Sequence, residues 1–198
     1  RNLYVHDLRS NAWAQMLARQ LQRSNSELSN ALEQVRTLAT LDHLTQCLNR
    51  RALMETLDLE SVRRQRYGNS FGIILLDLDH FKSVNDMHGH GVGDAVLVAT
   101  SQLLRSKLRA NDCLARWGGE EFLCVLVEVD QQALLIKAQQ LCEALAQTPL
   151  IETPVVLTVT GSFGIAVCDS DAPIAQFIEK ADQALYRAKK SGRNRVCA

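Results

Sequence analysis

The chain has 198 residues, 46% of them hydrophobic, and its 22 Lys+Arg are balanced by 22 Asp+Glu, enough for one substantial core and an extension. That balance leaves no basic surplus for a nucleic-acid partner, and no apolar run approaches the roughly twenty residues of a membrane-spanning helix. Arg1 begins no charged, apolar and small-residue signal pattern, so the sequence reads as a cytoplasmic piece of a longer protein, without membrane contact of its own, whose sensor or anchor lies upstream.

No glycine or proline interrupts residues 1–67. Leu21, Leu28 and Val35 are seven apart, and Leu17, Ala31 and Leu38 follow an offset row that Ser24 interrupts. This short heptad seam predicts a helical, coiled-coil-like extension over 1–40, ahead of a domain over 41–198. A helix packed on its own domain would give part of the same pattern.

A helix is expected from Asn49 to about Arg66, stopped by Tyr67-Gly68-Asn69-Ser70. The apolar run 71–77 predicts a strand buried on both faces, and a further helix starts near Phe81. Residues 91–108 and 131–146 keep helical periods, as do 174–189. Residues 113–127 read as two strands around Gly118-Gly119, a tight hairpin, and 155–168 as strands broken near Gly161. Strand, helix, hairpin, helix, strand is the split βαβ order of an α/β (α+β) domain, with a mixed, mainly antiparallel sheet flanked by helices. The six cysteines, with no close pair of metal-ligand spacing, read as reduced and mostly buried thiols.

Two acidic clusters fall at strand ends: Asp77-Leu78-Asp79, and Glu120-Glu121 beside the double glycine. Hard divalent cations take oxygen ligands, and magnesium binds one or two carboxylates while keeping phosphates and water. Together the clusters suggest one metal site, although Asp79 could instead cap the helix that follows. The backbone around His80, Phe81 and Lys82 opens a helical turn whose amides could face a phosphate. Lys82 is equally readable as surface charge and His90 as a helix-start residue.

These motifs, with Asp42-His43-Leu44-Thr45, Asn49-Arg50-Arg51, Asn85-Asp86, Gly89-His90, Gly93-Asp94 and Ser191-Gly192-Arg193-Asn194, run in order from Asp42 to Val196. They resemble the GGDEF-domain diguanylate cyclases, which condense two GTP molecules into cyclic di-GMP; this chain carries the Glu variant at the third motif position. The resemblance implies the ferredoxin-like palm sheet of nucleotide cyclases. It also implies a Mg2+ (or Mn2+) site from Asp77, the Leu78 carbonyl, Glu120 and Glu121, with Glu120 as the proton acceptor. Substrate positions would be Asn85, His90 and Asp94 for the base and His80, Phe81, Lys82, Lys189 and Arg193 for the phosphates. Arg109 and Asp112 match an Arg-x-x-Asp product-inhibition site, although an arginine that assists it in some members aligns with Gln140. A two-nucleotide product implies a homodimer of half-sites. Two other readings stay open: a catalytically silent receptor for GTP or cyclic di-GMP, and a coiled-coil interaction module on a cyclase scaffold.

Overall fold

The structure, a computed structural model, describes residues 13, 16, 19–29, 40–151 and 156–198, and the chain separates into one unit over 1–39 and another over 40–198. In the first, residues 19–29 are helical and Leu21 and Leu28 are exposed. The remaining seam positions Leu17, Ala31, Val35 and Leu38 lie outside the described residues.

The second unit runs β1 (Leu48–Asn49), α1 (Arg50–Tyr67), β2 (Phe71–Leu78), α2 (Phe81–His88), α3 (His90–Lys107), β3 (Cys113–Arg116), β4 (Glu121–Val127), α4 (Gln131–Gln147), β5 (Gly161–Cys168), α5 (Ile174–Lys190) and β6 (Arg195–Cys197). Asn49 starts α1 by accepting a hydrogen bond from the Ala52 amide at 2.9 Å; Gly68 ends it in the left-handed conformation, φ 80°.

The sheet order is β1-β3-β4-β2-β5-β6. The inner pairs β3/β4, β4/β2 and β2/β5 are antiparallel, and the short edge strands β1 and β6 pair in parallel. This is the split βαβ arrangement the sequence predicts, widened by two edge strands it did not announce. Upstream of β5 the expected strand over 155–160 is replaced, among the described residues, by the single bridge Ile151↔Leu157.

Every residue of β2 is buried, because helices cover both faces of the sheet. Ile74, Leu76 and Leu78 pack with Val96, Leu97, Leu134 and Leu141 from α3 and α4. Phe71, Ile73 and Leu75 pack with Leu53 and Leu57 of α1 and with Phe177, Ala181 and Leu185 of α5. Gly164 of β5 allows α5 its close approach: a Cβ there would lie 2.0 Å from the Ala181 carbonyl oxygen. All six cysteines are free thiols, four of them buried; burial pushes Cys142 up to about 11 and Cys168 up to about 12.

Candidate active site

Strand pleating places the first two acids. Successive side chains alternate between faces, so Asp77 continues the row of Phe71, Ile73 and Leu75 toward α5. In β4 the same alternation puts Glu121 in line with Leu123 and Val125 on that face. Asp77 and Glu121 are register partners across β2 and β4, a spacing of about 5 Å between Cβ atoms for such pairs. α5 brings Lys189 to the pair, its Nζ 2.8 Å from Asp77 Oδ2. Burial first, and then the charge of Asp77, raise the pKa of Glu121; Lys189 opposes the rise, and Asp182 and Glu120 add to it.

Residues 117–120 connect β3 to β4 and correct the tight-hairpin expectation. The connection has four residues, and neither Gly118 nor Gly119 has the positive φ of a two-residue turn. Gly118 lies close under the Glu121 carboxylate: a Cβ there would be 2.7 Å from Glu121 Oε2, which would have to turn aside. The loop is pinned at several points. The Trp117 amide donates to the Glu121 carbonyl at 2.8 Å and the Leu78 amide to the Glu120 carbonyl at 3.3 Å. Arg116 donates through Nε and Nη2 to the Gly119 carbonyl, at 3.0 and 2.9 Å. Its Nη1 pairs with Asp42, 3.3 Å from Oδ1. Burial alone would raise the Asp42 pKa, but hydrogen bonds from Thr45 together with Arg116 outweigh it and hold the carboxyl below its ordinary value. Glu120 is half-buried rather than fully exposed, since its backbone is tied to β2.

The other predicted substrate residues gather around α2 and the start of α3. His80 takes the left-handed conformation, φ 58°, at the α2 N-terminus, where no side chain caps the first-turn amides. Phe81 is core, as expected of its side chain, and Lys82 is exposed. Asn85 presses its side-chain oxygen against the bare backbone of Gly93, where a Cβ would be 1.9 Å away. That contact places Asn85 beside Asp94, and both His90 and Asp94 are exposed at the start of α3. Arg193 follows α5 with φ 62°, its amide donating to the Ala188 carbonyl at 3.0 Å.

Asp79 has a use that the sequence did not reveal. It does not cap α2: its buried carboxylate accepts from Thr160 Oγ1 at 2.8 Å, Ser162 Oγ at 2.7 Å and the Asn194 amide at 3.0 Å. It thereby ties the end of β2 to β5 and to the segment bearing Arg193.

Among the described residues, no group of three or more His, Cys, Asp or Glu side chains closes into a metal cage. Asp77 and Glu121 converge, with Glu120 adjacent in the loop. Two carboxylates, a carbonyl at Leu78 and open positions are the donor chemistry a magnesium ion uses with a phosphate substrate, and the charge crowding that raises Glu121 is of the sign a divalent cation relieves. Arg109 and Asp112 stand apart, at the opposite end of β3 from the loop. The Arg109 amide donates to Asp112 Oδ2 at 2.9 Å, and both side chains line a groove with Leu41, Gln46 and Arg105.

Residues 39–195 match the family model described as "Diguanylate cyclase, GGDEF domain". The diguanylate cyclase DgcP of Pseudomonas aeruginosa is 41% identical over 165 residues, 83% of this chain but 25% of DgcP. The chain therefore spans about a quarter of that relative. The coiled coil and GGDEF domain of DgcB from Caulobacter crescentus, solved in complex with c-di-GMP, superimposes with a TM-score of 0.84 at 30% identity, covering 92% of this chain and 98% of that one. The active GGEEF domain of a Vibrio cholerae diguanylate cyclase gives 0.72 at 33% identity, covering 77% and 97%. Fold, motif order and these likenesses agree: the chain belongs to the GGDEF-domain diguanylate cyclase family.

Proposed function

We propose that this protein is an active diguanylate cyclase, joining two GTP molecules into cyclic di-GMP with release of two diphosphates. The observation that carries the reading is the cross-strand pair Asp77 and Glu121 beside the glycine loop, with Lys189 at hand. In each of two equivalent steps the 3′-oxygen of one nucleotide forms a bond to the α-phosphorus of the other. The bond from that phosphorus to the bridging oxygen of the diphosphate breaks, and the 3′-hydroxyl proton passes to Glu120.

The acids Asp77, Glu120 and Glu121, with the Leu78 carbonyl, would hold Mg2+ or Mn2+, which when bound supplies Lewis-acid charge at the α-phosphate. Lys189, Arg193 and the first amides of α2 orient and neutralise the triphosphate, with Lys82 and His80 at its edge. Asp94 accepts from the N1 and N2 hydrogens of guanine, a donor pattern adenine lacks, with Asn85 and His90 on neighbouring edges. Each chain supplies one half-site, so catalysis takes a homodimer with two sites face to face. Arg109 and Asp112 bind the product and slow the enzyme, Arg109 by forking to phosphate or stacking on guanine. Gln140, exposed on α4, makes that brake weaker than an arginine there would.

The test is turnover of GTP with and without magnesium by wild type and Glu120→Gln. Wild type should form cyclic di-GMP only with the cation, and the variant should fold yet form none; turnover by Glu120→Gln at the wild-type rate rejects the site. Adding ATP tests Asp94, since mixed products contradict guanine reading. Titrating cyclic di-GMP into wild type and Arg109→Ala tests the brake, which only wild type should show.

A further inference from the structure

The loop 117–120 is held from one side by Arg116. A further support comes from α1. The parallel pairing of β1 with β3 sets Asn49 opposite Arg116, so the next residue, Arg50, emerges beside Trp117. The Arg50 guanidinium carbon lies 4.3 Å from the centroid of the Trp117 ring. This is the shortest cation–ring stack among the described residues, the others falling between 5.2 and 5.5 Å. Trp117 itself packs against the cluster between the sheet and α1 and α5. Its amide is bonded to the carbonyl of Glu121, so displacement of the indole moves the backbone that carries the acid. Arg50 is exposed, and its stem and guanidinium cover an aromatic face that would otherwise be wetted.

We propose that Arg50 is a positioning residue for the reaction, fixing, through the face of Trp117, the loop that bears Glu120 and leads into Glu121. This rests on the catalytic reading of that loop given above. Arg50 touches no reacting atom in this account. It narrows the range of loop positions, and small displacements of catalytic groups lower rate more than they weaken binding.

Trp13 and Trp117 are the two tryptophans of the chain, so a Trp13→Phe parent makes indole emission a report on Trp117 alone. In the full chain of that parent, Arg50→Ala should lower kcat for GTP about three- to fivefold, the size a partly exposed stack can supply, with KM unchanged within about twofold. Trp117 emission should shift to the red as its face is wetted. Arg50→Lys should recover most of both, since an ammonium can also sit over the ring. Should Arg50→Ala fail to fold, Arg50→Gln keeps the stem without the charge and takes its place. A red-shifted emission with unchanged kcat would show a surface stack and overturn the proposal, as would a lower kcat with unchanged emission. A parent that makes no cyclic di-GMP overturns the catalytic reading of the loop as well; an active parent indifferent to Arg50 overturns this proposal alone.

Discussion

Glu121 sits where its ionised form is disfavoured, with burial and the Asp77 carboxylate both raising its pKa. A carboxyl raised above its unfolded value contributes stability that is present below the ordinary carboxylate range, near 4.5, and is lost as pH rises through the raised folded value. Without divalent cation, Glu121→Gln should therefore unfold at the same or a higher temperature than wild type at pH 7.5, and the advantage should shrink toward pH 4. A variant clearly less stable at pH 7.5 would mean that Glu121 is favourably held. The acids themselves were legible as residues, because carboxylates at the end of an apolar strand and beside two glycines have few structural uses. Their cross-strand partnership was not, since it depends on a register between segments more than forty residues apart. The capping alternative for Asp79 fails for a related reason: its donors Thr160, Ser162 and Asn194 lie far along the chain, while a cap needed only its neighbours.

Lys189 reaches Asp77 only if α5 lies close on β5, and Gly164 sets that distance. A Cβ at Gly164 would lie 2.0 Å from the Ala181 carbonyl oxygen and 2.3 Å from the Leu185 amide nitrogen, and both are backbone atoms that cannot turn aside. Gly164→Ala should cost roughly 1–3 kcal/mol in chemical denaturation, and by lifting α5 it should also raise KM for GTP. A variant as stable as wild type would show that the helix shifts freely. The long helices were readable because α3, α4 and α5 repeat their period over several turns and α1 carries start and stop signals; all four agree with the expected helices to within about a residue at either end. β1 and β6, at two and three residues, are too short to display alternation and exist through pairing with β3 and β5. Gly118-Gly119 pointed to a two-residue turn by composition alone. Here Gly118 lies against the Glu121 carboxylate, and Arg116 holds the carbonyl of Gly119.

At the scale of the whole molecule, the proposed site offers one set of acids, one basic pair and one guanine-reading edge per domain, while the proposed product contains two nucleotides joined symmetrically. Each phosphodiester bond then needs the 3′-hydroxyl of a nucleotide held by a different chain. Under the proposed dimer, the helical residues 19–29, with Leu21 and Leu28 exposed, would serve to raise the local concentration of a second copy. Specific activity should consequently climb with protein concentration and level off as dimers saturate. The direct measurement is the initial rate of cyclic di-GMP formation per chain, at saturating GTP and magnesium, across a dilution series whose oligomeric state is followed by light scattering. A rate per chain that rises in step with the dimer fraction is the predicted result; a rate per chain that stays constant in samples shown to be monomeric would contradict it.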